Sequence, residues 1–225
     1  MGIKDNIEKF RMELKPFNAR LIAVSKTHSV DRIREAFEGG QRIFGENKVQ
    51  ELTEKQTQLP PDTEWHLIGN LQRNKVKYIV PFISLIHSVD SLKLLEEINK
   101  QGQKINRKIH CLLQVYIANE ETKFGLTPQE IHQLVSSTEI SSFGFIAIDG
   151  LMGIATLTEN TEQIRKEFRS LKQLFDDLKS QSLPSSIQMK ELSMGMSSDY
   201  RIALEEGSTL IRVGTAIFGA RDYSI

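Results

Sequence analysis

Eight short runs of β-branched or apolar residues, separated by stretches with helical spacing, constrain this chain more than any other feature of it. They cover residues 20–25, 42–44, 65–68, 85–88, 109–116, 143–151, 188–193 and 209–213. Short apolar runs bounded by helical periodicity read as repeated βα units. The intervening helices are marked by their apolar faces. Ile164, Phe168, Leu171, Leu174, Phe175 and Leu178 share one side of a helix that begins near Thr161. Ile33, Ala36 and Phe37 share one side of another, and Gly39-Gly40 ends it, because glycine takes the left-handed backbone of a helix terminus without steric cost. A further helix, from residue 3 to about residue 14, precedes the first strand. Eight alternating units in 225 residues predict an α/β fold, a single closed (β/α)8 barrel of TIM type with an extra N-terminal helix. An open doubly wound sheet is the alternative.

No linker or composition shift divides the chain, so residues 1–225 read as one domain, of a size that buries a substantial core. Its 29 basic residues balance 29 acidic ones, which withholds the positive excess that a nucleic-acid backbone requires. Cys111 is the sole cysteine and sits in an apolar run, so an intrachain disulfide is excluded and a buried, inert thiol is expected. The first ten residues carry charge throughout and have no apolar centre, which fits neither a signal peptide nor a membrane span and places the protein in the cytoplasm. With no long exposed apolar stripe, a monomer is expected.

In such barrels the chemistry sits at the C-terminal ends of the strands, and a phosphate is often held by the loops after strands seven and eight. Lys26 follows the first run, Gly45-Glu46-Asn47 the second, Gly69-Asn70 the third and Met152 the sixth. The seventh is followed by Ser193-Met194-Gly195-Met196-Ser197-Ser198 and the eighth by Gly214-Thr215. Glycine lets a backbone approach an anion closely, and hydroxyls and free amides donate to its oxygens, so these two loops together suit a phosphate. Taken singly, each better suits a chain turn and, for the serines, the cap of a helix near Asp199. Lys26 leaves an apolar strand at the barrel mouth, where a desolvated amine favours its neutral, nucleophilic form. Arg212 alternates with Ile211 and Val213 and so points inward, where it could serve a phosphate or a ring nitrogen, or pair with an acid such as Glu46 or Glu191. His66 has no metal-ligand companion at the usual spacing and reads as core, His28 as a rim residue, and residues 73–77 as the solvated face of a helix.

Taken together, these segments resemble the pyridoxal phosphate homeostasis proteins, which bind pyridoxal 5'-phosphate (PLP) and are similar to the barrel domain of alanine racemase. The resemblance runs in order through Ala23-Val24-Ser25-Lys26-Thr27, Phe44-Gly45-Glu46-Asn47, Trp65-His66-Leu67-Ile68-Gly69-Asn70, Lys123-Phe124-Gly125, Gly150-Leu151-Met152, Ser193-Met194-Gly195-Met196-Ser197 and Arg212-Val213-Gly214-Thr215. It implies that Lys26 carries a Schiff base to PLP and that Asn47 lies beside the ring. It further implies that Ser193, Gly195, Gly214 and Thr215 hold the phosphate, that Met194 belongs to the same cofactor site, and that Arg212 faces the pyridine nitrogen. Departures from the family pattern, at Ser29, Asn70 and Phe124, touch none of these positions.

An arginine facing the ring nitrogen remains a donor, so the nitrogen stays unprotonated and the ring is a weaker electron sink than one paired with a carboxylate. Alanine racemase adds an acid/base tyrosine from a second domain, which this chain is expected to lack. Both points favour a non-catalytic protein that buffers PLP or delivers it to PLP-dependent apo-enzymes. The competing readings are a PLP-dependent amino-acid racemase and a cofactor-free Schiff-base aldolase.

Overall fold

The computed structural model describes residues 2–118 and 124–220. Its strands β1 (Arg20–Val24), β2 (Ile43–Glu46), β3 (Glu64–Leu67), β4 (Leu85–Val89), β5 (Ile109–Val115), β6 (Ile146–Gly153), β7 (Ile187–Ser193) and β8 (Leu210–Val213) form one closed parallel barrel in sequence order. The ring is shut by β8 pairing with β1, from Arg20↔Leu210 to Ala23↔Val213. That closure decides against the open sheet.

Between the strands run helices α1 (Ile3–Leu14), α2 (Val30–Glu38), α3 (Val49–Gln56), α4 (Val76–Ile79), α5 (Leu92–Lys104), α6 (Pro128–Val135), α7 (Thr138–Ser141), α8 (Thr161–Ser180), α9 (Tyr200–Glu205) and α10 (Thr215–Phe218). The extra helix α1 buries Ile3, Ile7, Phe10 and Leu14 and packs against α2 and α10. In α8 all six residues of the expected face are buried, and the Asn160 side chain caps its start by accepting from the Gln163 amide. Gly40, just past α2, has φ +90°, the left-handed terminus that the Gly-Gly pair signals.

Alternation along each strand splits its side chains between two cores. Ile22, Ile43, Leu85, Leu112, Met152 and Leu210 pack together inside the barrel. Leu21, Ala23, Phe44, Trp65, Leu67, Ile211 and Val213 belong to the larger core between strands and helices.

Three local expectations shift. β2 lies one to two residues later than the apolar run suggests, because its last residue is the charged Glu46, which no hydropathy pattern marks as strand. The sixth run is shortened at its start, where Ser137 caps the single turn of α7 and residues up to Phe145 form the approach to β6. The Lys-rich segment is a 3-10 turn, Arg73–Lys75, leading into α4, and Val76 is buried among the exposed cations. Lys123 lies outside the described residues.

Candidate functional site

At the C-terminal end of the strands the barrel opens into a cleft of about 450 Å³. Val24, Ile68 and Ile154 provide its apolar walls, and Lys26, Asn47, Arg212, Gly214 and Thr215 reach it together with Met196, Ser197 and Ser198. A cleft of about 490 Å³ lies at the opposite end, lined by Arg11, Arg20 and Arg42 among others. Those arginines are already paired with Glu8, Glu191 and Asp62, and Lys26 does not line this cleft.

The register explains why residues far apart in sequence meet here. Ile22 stands opposite Arg212 and Val24 opposite Gly45, so the ends of β1, β2 and β8 share one rim. Lys26 is in the turn after β1, two residues beyond the inward-facing Val24. A Cβ on Gly214 would lie 3.1 Å from the Val24 carbonyl oxygen, so the loop after β8 lies tightly over β1. Asn47 is held from below by the loop after β3, whose Gly69 approaches the Asn47 backbone at a distance that admits no side chain. His28 is deeper than a rim residue: it is buried, lines the cleft and stacks on Phe218 with ring centroids 4.8 Å apart.

The loop after β7 departs from the sequence reading. Ser193 is fully buried, its hydroxyl accepting from Arg212 Nη1 at 2.6 Å and lying 3.0 Å from His87 Nδ1. It therefore supports the guanidinium from beneath and is not exposed to the cleft. Met194 faces the outer core, and its amide bonds to Leu210, because the β7–β8 pairing extends past Ser193. Gly195 has φ +93°, and a Cβ there would lie 2.5 Å from that of Ala203, so this glycine lets the loop turn closely against α9. The hydroxyls that line the cleft belong to the next residues, Ser197 and Ser198, with the loop positioned by Asp199 accepting from the Met196 amide at 2.5 Å.

Arg212 is buried and pairs with neither Glu46 nor Glu191. It donates to Ser193 and, at 3.0 Å, to the Gly153 carbonyl, while burial pulls its pKa from 12.5 to about 10, so it stays charged at neutral pH. Below it lies a chain that the sequence did not reveal, His87 Nδ1 to Ser193 and His66 Nδ1 to His87 Nε2, each at 3.0 Å. Burial lowers the pKa of His66 to about 3 and that of His87 well below 6.5, so both rings are neutral, as they must be beside a buried cation. His66 thus has a histidine companion in space, although no cluster of three metal-binding side chains occurs among the described residues. Cys111 is buried, and burial pushes its thiol pKa up, which keeps it inert.

The family model described as the alanine racemase N-terminal domain matches residues 2–222. The pyridoxal phosphate homeostasis protein of Aquifex aeolicus is 41% identical over 207 residues, covering 91% of this chain and 88% of its own length. That of Pasteurella multocida is 38% identical over 229 residues, covering 99% and 96%. PipY of Synechococcus elongatus, solved with PLP bound, is 38% identical, covers 96% of this chain and all of its own, and superposes with a TM-score of 0.86. Alanine racemase of Bartonella henselae, at 14% identity and a TM-score of 0.73, shares the fold alone. A fold, a cleft and a near full-length likeness thus agree, and the chain belongs to the pyridoxal phosphate homeostasis protein family, within the wider family of alanine racemase N-terminal domains.

Proposed function

We propose that the chain, as one barrel domain over residues 1–225, binds PLP in this cleft, holds it as a Schiff base on Lys26 and serves cytoplasmic PLP homeostasis by buffering or delivering it to apo-enzymes. The observation that carries this reading is the convergence, in one cleft, of an amine, a buried guanidinium and two hydroxyl-bearing loops. Each fits a different part of PLP. When bound, PLP supplies an aldehyde, with which an uncharged lysine amine condenses with loss of water. All of these line the cleft, and in this reading Ser197, Ser198, Gly214 and Thr215 would receive the phosphate, the apolar walls the ring, and Arg212 would donate to the ring nitrogen.

The same arginine favours a carrier over a racemase-like enzyme. Because it remains protonated, it leaves the ring nitrogen without a proton and so does not supply the electron sink that amino-acid chemistry at PLP uses. Purified protein incubated with PLP should show an imine absorbance band that borohydride fixes on Lys26, and Lys26→Ala should abolish both. An adduct mapping to another lysine would overturn the assignment. Gly214→Val should weaken PLP binding more than that of pyridoxal, and equal losses would count against phosphate contact at this loop. Robust racemisation or transamination that disappears in Lys26→Ala would replace the carrier reading by an enzyme.

A further inference from the structure

Behind the cleft, on the outer face of β1 and β2, lies a buried ionic cluster that neither the sequence nor the proposed binding role uses. Glu46 is fully buried at the end of β2, and its Oε1 accepts from Ser25 Oγ at 2.6 Å and from Lys55 Nζ at 2.8 Å. Lys55, on α3, also donates to the Ser25 carbonyl at 2.7 Å and to Glu51 Oε1 at 2.6 Å, so all three ammonium protons are engaged. Glu51 Oε1 in turn accepts from the Thr27 amide at 2.5 Å. Three hydrogen bonds from these three side chains therefore end on Ser25 and Thr27, the two residues that flank Lys26.

We infer that Glu46, Lys55 and Glu51 act as positioning residues for Lys26, clamping the turn on both sides so that its amine is held over the cleft. Three features point this way. Thr27 is held at φ +67°, a left-handed conformation rare for a β-branched residue, in a turn closed by the His28 amide donating to the Ser25 carbonyl at 3.1 Å and held further by the Thr27 amide donating to Glu51. A buried ion pair is poor value as a stabiliser, since desolvation offsets most of its attraction. Here burial raises the Glu46 pKa to about 7 and leaves its Oε2 without a hydrogen-bond partner, so the site is costly to maintain. Finally, the cluster contacts the backbone on either side of Lys26 from the outer face of the barrel, opposite the cleft that Lys26 lines.

This inference rests on the proposed attachment of PLP to Lys26, and the test separates the two. Affinities for PLP and for pyridoxamine 5'-phosphate, which has the same phosphate and ring but no aldehyde, are measured for the parent chain, Glu51→Ala, Glu51→Gln and Lys55→Met, with thermal melts as a check on folding. In the parent, PLP should bind more tightly than the amine and be trapped by borohydride at Lys26; failure of either removes the proposed function itself. Glu51→Ala should lower PLP affinity about tenfold, equivalent to about 1.4 kcal/mol, and slow trapping at Lys26, with pyridoxamine phosphate affinity unchanged. Glu51→Gln, which keeps an acceptor for the Thr27 amide, should recover most of that loss. Lys55→Met should show the same selective loss, and a larger one. Parental PLP affinity and trapping rate in Glu51→Ala, or parallel losses for both ligands in a folded variant, would overturn the clamp.

Discussion

Replacing Arg212 with methionine separates what the guanidinium does for the fold from what it does for the site. Burial lowers its pKa from 12.5 to about 10, and each unit corresponds to about 1.4 kcal/mol. Holding this charge inside therefore costs the protein on the order of 3 kcal/mol, and the sign places that cost at every pH below about 10, because only above it does the folded form lose the proton first. Against this stand two hydrogen bonds from a charged donor, each worth about 1.5–3 kcal/mol. Methionine removes the charge penalty together with both bonds. Ser193 keeps its contact with His87, and the Gly153 carbonyl is the acceptor left short. The balance lies between about 0 and 3 kcal/mol in favour of the arginine. For a domain of this size 1 kcal/mol moves the melting temperature by about 2–4 °C, so Arg212→Met without ligand should melt within about 12 °C of the parent. Its PLP affinity should fall at least about tenfold, a loss of about 1.4 kcal/mol or more in binding. Scanning calorimetry with and without PLP measures both. A drop of more than about 15 °C in the ligand-free melt would show that the arginine is a strut of the barrel, and undiminished PLP affinity would refute its assignment to the ring.

Two further outcomes follow from the packing around the cleft. In Gly69→Ala the new Cβ would lie 2.4 Å from the Asn47 carbonyl oxygen and 2.7 Å from its Cα, an overlap with backbone that no rotamer relieves; the cost should be about 1–3 kcal/mol, with a fall in PLP affinity as Asn47 is displaced, and parental values in both assays would show that the loop yields freely. His66 and His87 are bases whose pKa values are depressed by folding, so the unfolded chain takes up protons first and stability falls as pH drops below about 6.5. At pH 4.5 the penalty from His66 is about 3 kcal/mol, His87 adds to it in the same direction, and a His66→Leu/His87→Leu double variant should lose much less stability between pH 7 and 4.5 in urea titrations; an unchanged pH dependence would mean that the pair does not govern acid sensitivity.

The barrel was legible in the sequence because burying a strand on both faces leaves an apolar run, and each of the eight runs became a strand. What hydropathy could not show was where a strand continues through a charge, as β2 does at Glu46. At the mouth, Lys26, Asn47, Gly214 and Thr215 were singled out from their positions after strands and Arg212 from its alternation within β8, and the structure gathers them into one cleft. Ser193 stands apart from them, because a serine at a strand end reads the same in sequence whether it opens onto the cleft or supports a neighbour from beneath. The His66–His87 contact and the hold of Lys55 and Glu51 on the turn around Lys26 connect residues 21, 30 and 24 positions apart through side chains alone. No spacing rule anticipates contacts of that kind.

The seam between β1 and β8 sets an order of events in the life of the chain. Ile22 meets Arg212 across it, so the amine and the guanidinium face the same cleft only when the first and last strands have paired. Contacts so distant in sequence are the slowest to form, since they carry the largest loop-closure entropy. A nascent or partly unfolded chain thus has its lysine but not its pocket. Under the proposed function, tight retention of the aldehyde then belongs to molecules that have finished folding, and loss of the ligand should report on the integrity of that one seam.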